Sequence, residues 1–224
     1  MPPNSSSALR GFFLFLAFIF CCSMAWSHTI NLSMERAPLH QVMWFYFKLG
    51  IQHIIPEGFD HILFIIALCL LNTRLKTILW QATAFTVAHC ITLALSAKGV
   101  INLPSSVVEP IIAASIAFVA IENLVIDQLK VWRILIVFCF GLIHGMGFAA
   151  ALNEIGLPRN SFFKSILSFN IGVEVGQIIV ILSVFGLLIY PFGKYPWYKK
   201  AVVYPLSTAI ALIAMYWTVK RVLQ

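Results

Sequence analysis

Four of the chain's six histidines lie at or inside strongly apolar segments. His53 and His61 flank a Pro56-Glu57-Gly58 interruption, and His89 and His144 sit mid-segment. An ionisable side chain inside a bilayer costs at least ~2.5 kcal/mol, so it is seldom kept there without a function. Imidazoles in several apolar segments, with Asp60 beside His61 and Glu174 in a further segment, are the groups of a metal site or a proton relay. Imidazole suits nickel, zinc, copper and iron, and added carboxylate argues against a soft copper(I) site.

The elements that must position these groups are membrane helices. Hydrophobic residues make up 61% of the chain and charged residues only 10%, against about 25% charged in soluble domains. In 224 residues, six helices of ~20 residues leave short loops and no second folded domain, so the bundle itself must carry the function. The net charge of +7 is spread over single or paired basic residues. No run of five or more occurs, which argues against a nucleic-acid partner and for membrane topology. Cys69, Cys90 and Cys139 fall in separate apolar segments without a CxxC pair, and read as packing residues.

Residues 1–27 have one early cation, Arg10, an apolar core at 11–22 and a small-x-small site at Ala25-Trp26-Ser27, the pattern of a cleavable signal peptide. Residues 28–58 read as a short exported segment followed by an interfacial or re-entrant helix rich in belt aromatics, interrupted at Pro56 and Gly58. Residues 59–224 read as a polytopic bundle with spans near 59–71, 77–97, 107–126, 132–152, 163–190 and 201–219. The expected fold is therefore an all-α integral membrane protein of about six transmembrane helices.

With the mature N-terminus outside, the inner loops hold Arg74, Lys76, Lys130, Arg133, Lys194, Lys199 and Lys200. The outer loops between spans hold Lys98, Arg159 and Lys164. That bias satisfies the positive-inside rule and predicts a multi-pass protein of the bacterial cell (inner) membrane. Lys220 and Arg221 fall on the outer side, against the rule.

On this topology His61, His89, His144, Asp60, Glu109, Asn170 and Glu174 share the outer half, because alternate spans reach one depth from opposite sequence ends. The inner half offers Glu122 and Asn123. Thr86, His89 and Thr92 form one polar stripe at helical spacing, and Asn170, Glu174 and Gln177 form another. Gly141, Gly145 and Gly147 surround His144, and Gly172 and Gly176 lie near Glu174, letting helices approach closely. The expected metal ligands are His53, Asp60, His61, His89, His144 and Glu174. Thr86, Glu109, Glu122, Asn123, Asn170 and Gln177 are expected to support them or to line a path.

At these residues the chain resembles the HupE/UreJ family of membrane proteins. The matching pieces include Gly58-Phe59-Asp60-His61-Ile62-Leu63-Phe64, Phe85-Thr86-Val87-Ala88-His89-Cys90, Gly141-Leu142-Ile143-His144-Gly145-Met146-Gly147 and Asn170-Ile171-Gly172-Val173-Glu174. The resemblance implies a six-span or seven-span permease for nickel or cobalt, linked to hydrogenase and urease accessory functions. Six residues separate His53 from Asp60-His61 here, against four in the His, Asp-His pattern of nickel/cobalt transporters.

Two functions compete. In the first, a divalent transition metal, nickel foremost and zinc or cobalt next, is captured at His53, Asp60 and His61 and held by His89, His144 and Glu174 near the midplane. In the second, the same imidazoles hold zinc and its water, and Glu174 or Asp60 is the base of an intramembrane hydrolase acting on a lipid amide or ester. A proton-conducting partner subunit is a third reading. The partners expected are the lipid bilayer and the metal ion, with the oligomeric state left open.

Overall fold

The computed structural model describes residues 35–126 and 132–224; the expected signal peptide and Lys130 lie outside them. The described residues form helices joined by short turns and loops, with no strand among them.

Helix α1, Leu39–Ile54, starts after Pro38 and buries Val42, Tyr46, Gly50 and Ile54, one stripe at four-residue spacing. This stripe packs along α7, Phe162–Val184. A Cβ added at Gly50 would strike the Phe169 carbonyl, and one at Gly172 the Phe47 carbonyl, so the two glycines allow the helices to touch backbone to backbone. The Tyr46 hydroxyl donates to the Gly156 carbonyl and ties α1 to the loop before α7.

Helix α2, Phe59–Leu70, is apolar all round after Asp60 and His61 in its first turn and buries nine of its twelve residues, as expected for a helix enclosed by others. At ~1.5 Å per residue it is about 18 Å long, too short to cross a hydrocarbon core of about 30 Å. Joined to α1 across a 66° bend, it forms a broken span or a re-entrant loop. It lies against α7, against α4, Ser105–Val125, and against the C-terminal helix α8, Tyr204–Val222.

Among the described residues five further helices are long and apolar enough to cross a membrane. Helix α3, Leu75–Ala97, packs along α5, Arg133–Gly147, and α4 packs along α8. Helix α5 continues after Phe148 into α6, Ala149–Ile155, which ends at Gly156 with φ 90°. That conformation favours glycine, which has no Cβ to clash. The expected fourth span is thus the composite Arg133–Ile155. The expected fifth runs from Arg159 to Phe192 through a π-helical turn, Phe185–Ile189. The last, Lys199–Val222, opens with another π-helical turn at Lys199–Val203.

Candidate metal centre

Pro56 supplies no backbone donor, and the helix stops there. The Glu57 amide reaches back to the Gln52 carbonyl, and the Gly58 carbonyl accepts the Ile62 amide to start α2. A Cβ at Gly58 would collide with the His53 carbonyl, so only glycine lets the chain fold back this tightly. In a continuous helix His53 and His61, eight residues apart, would be separated by about 12 Å along the axis. Across the bend their ring centroids are 4.7 Å apart.

His89 comes from the middle of α3, with its ring 6.0 Å from His53 and 6.1 Å from His61. The candidate ligand atoms of His53, His61 and His89 all lie within 4.8 Å of one another. Two nitrogens at ~2.1 Å from a tetrahedral ion are about 3.4 Å apart, so side-chain shifts of about an ångström would close the group on a metal. His144, on α5, borders the group with its ring 5.2 Å from His61. The close approach of α3 and α5 depends on Gly145, where a Cβ would meet the His89 carbonyl and the Thr92 hydroxyl.

Hydrogen bonds fix two tautomers. Asn170 Nδ2 donates to the Ile166 carbonyl at 2.8 Å, which turns its Oδ1 toward His89 Nδ1 at 3.0 Å. That oxygen can only accept, so Nδ1 carries the proton and His89 Nε2 has a free lone pair. The Phe140 carbonyl accepts from His144 Nδ1 at 2.8 Å with the same result. The Nε2 atoms of His53, His61, His89 and His144 are all buried without a hydrogen-bond partner among the described residues. Buried polar atoms are rarely left so, and a metal ligand set is one standard reason. Aromatic rings wall the group: Phe148 lies 4.0 Å from His53, Phe85 lies 4.9 Å from His144, and Phe169 stacks on Phe148 at 5.0 Å.

A cavity of about 410 Å³ opens beside the imidazoles, lined by His53, His61 and His144. Its carboxylates are Glu57, Asp60 and Glu109, and its one cation among the lining residues is Arg221. Arg221 Nη2 is 2.9 Å from Asp60 Oδ2, its Nη1 donates to the Glu109 carbonyl at 3.2 Å, and its guanidinium carbon is 5.6 Å from the Trp217 ring centroid. Sequence reasoning missed Arg221, Trp217 and Phe148. The signal for Arg221 was its place on the wrong side of the positive-inside pattern.

The two polar stripes meet across α3 and α7. Below the His89–Asn170 pair, Thr86 Oγ1 lies 3.3 Å from Gln177 Oε1, and Thr83 Oγ1 donates to Glu174 Oε1 at 2.7 Å. Thr83 precedes His89 by six residues, about 9 Å along the helix. Glu174 therefore sits one to two turns from the imidazoles toward the Leu75 end of α3, on Thr83, and its Oε2 is buried and unpartnered among the described residues. Gln177 also joins His61 in lining a small cavity.

At the opposite end of the bundle, Arg133 Nε lies 3.2 Å from Glu122 Oε2, both side chains deeply buried. The pair is ionic in distance, but its angle falls outside hydrogen-bond geometry. Asn123 donates to the Ala67 carbonyl at 2.7 Å and to Ser207 at 3.3 Å, and accepts from Arg133 at 3.4 Å. Glu122 and Asn123 are thus bound into a link among α2, α4, α5 and α8.

A family model described as HupE / UreJ protein matches residues 27–221. No curated protein and no solved structure matches the chain.

Proposed function

The chain belongs to the HupE/UreJ family, and on that premise we propose that it is a carrier that binds a divalent transition metal at its imidazole cluster and moves it across the membrane. The observation that carries this reading is the gathering of His53, His61 and His89, whose candidate ligand atoms lie within 4.8 Å of one another, beside His144, with all four Nε2 atoms buried and without a hydrogen-bond partner among the described residues. His53, His61 and His89 are the core ligands, with His144 and Asp60 completing the set. The family's association with nickel and cobalt, and the affinity of imidazole for both, make nickel the first cargo to test.

The cavity beside Asp60 is the mouth, on the outer face of the cell membrane. The side-chain oxygens of Asn170, Glu174 and Gln177 on α7 and of Thr86 and Thr83 on α3, paired across the seam between the two helices, are the way onward from the cluster. Glu122 is a poor exit ligand by comparison, since Arg133 already neutralises it. The hydrolase reading needs a carboxylate base beside a metal-bound water. Asp60 is engaged by Arg221 and Glu174 by Thr83, which favours carriage over catalysis.

The test is nickel binding to the purified protein and flux into proteoliposomes. A site free energy of about 10–16 kcal/mol shared among five ligands is ~2–3 kcal/mol each, so His53→Ala, His61→Ala and His89→Ala should each weaken binding roughly 30- to 150-fold. Glu174→Gln should slow flux while leaving equilibrium binding intact. Unchanged binding in all three histidine variants would refute the site, and bound nickel without flux in the unaltered protein would refute carriage.

A further inference from the structure

The imidazole cluster lacks counter-charge. Its core ligands are neutral groups in an aromatic enclosure, so a divalent ion seated there brings two positive charges that a low-dielectric surround penalises heavily. Three carboxylates line the cavity beside it, Glu57, Asp60 and Glu109, and of these Asp60 directly precedes a core ligand, His61. Asp60 is already taken. Arg221 holds it at 2.9 Å, and the guanidinium is itself fixed by the Glu109 carbonyl and the Trp217 ring. An arginine with three partners of different kinds, only 22% exposed beside a carboxylate 23% exposed, is positioned more firmly than an ordinary surface pair.

We propose that Arg221 is a tethered competitor cation that keeps Asp60 neutralised until a divalent ion displaces it, and so makes the mouth selective for divalent over monovalent cations. The inference rests on the metal-site reading above. The selectivity follows from charge: at equal distance a divalent ion attracts Asp60 twice as strongly as a guanidinium does, whereas sodium or potassium merely equals it. A monovalent ion would also have to offset the loss of the carbonyl and ring contacts. Once displaced, the guanidinium still has the Glu109 carbonyl and Trp217 to hold it at the rim.

The experiment is nickel titration of the full chain in detergent, with and without a large excess of potassium chloride, for the unaltered protein, Arg221→Gln, Asp60→Asn and the double variant. Arg221→Gln should bind nickel about fivefold more tightly, as expected for release of an ion pair worth ~1 kcal/mol, and should become sensitive to potassium. In the Asp60→Asn background the Arg221→Gln gain should vanish, because the arginine acts through that carboxylate. Arg221→Lys, which keeps a charge beside Asp60 but not the forked and ring contacts, should fall between the unaltered protein and Arg221→Gln, and thermal unfolding of each variant reports on folding. Equal or weaker binding by Arg221→Gln overturns the proposal, as does a gain that persists without the Asp60 charge. Absence of nickel binding in the unaltered protein and in Arg221→Gln alike refutes the metal site itself, and the proposal with it.

Discussion

Asn170 touches no cavity wall named above, yet replacing it should weaken metal binding through His89. In Asn170→Leu the branched heavy-atom skeleton is kept while the acceptor at 3.0 Å from His89 Nδ1 is lost. The buried Nδ1–H is then left without a partner, at a cost of ~1–3 kcal/mol unless the ring turns or changes tautomer. Either response spoils the presentation of the Nε2 lone pair to the ion. Loss of the group that orients a metal-bound histidine typically lowers affinity by about 10–100-fold, or ~1.4–2.7 kcal/mol, in line with the hydrogen-bond figure. Asn170→Asp separates orientation from packing, because its carboxylate also accepts from Nδ1 and adds a compensating charge near the ion. Nickel affinity from calorimetric titration at pH 7.5, alongside thermal unfolding in the same detergent, should rank Asn170→Asp at or above the unaltered protein and Asn170→Leu well below both. Equal affinity for Asn170→Leu and the unaltered protein would refute the orienting role. Equal loss in both variants with a lowered Tm would assign Asn170 to packing alone.

Nickel binding should weaken in acid, because protons and metal compete for the same Nε2 lone pairs and binding is lost only once the imidazoles charge; equilibrium dialysis from about pH 8 down through the acid range until the fold is lost checks this, and a profile flat over that whole range contradicts imidazole ligation. Gly145→Leu should drive α3 from α5 by forcing a side chain onto the His89 carbonyl, costing about 1–3 kcal/mol of stability and most of the metal affinity, measured by thermal unfolding and titration. Arg133→Ala should destabilise the bundle by about 3–5 kcal/mol, because it strands the buried Glu122 charge; Arg133→Met with Glu122→Gln should restore much of that. Both changes at the Arg133 end should leave nickel affinity unchanged, which separates the structural ion pair from the site.

Membrane class, the approximate limits of the spans and the identity of the histidines could all be read from the chain alone. Each depends on a local quantity, the cost of placing a given side chain in hydrocarbon, so His89 and His144 stood out against their neighbours without knowledge of the fold. The opposed stripes of Thr86 with His89 and Asn170 with Gln177 were likewise visible as helical spacing, and they meet across α3 and α7. Depth, however, is one coordinate of three. Rotation about each helix axis and the choice of neighbours arise from packing, and they separate Glu174 from the imidazoles although sequence placed it at their level. The 66° bend turns His53 toward His61, a contact that spacing of eight residues does not encode. The pairing of Arg221 with Asp60 joins residues 161 positions apart, so only the closing of the C-terminal helix over the mouth could reveal it.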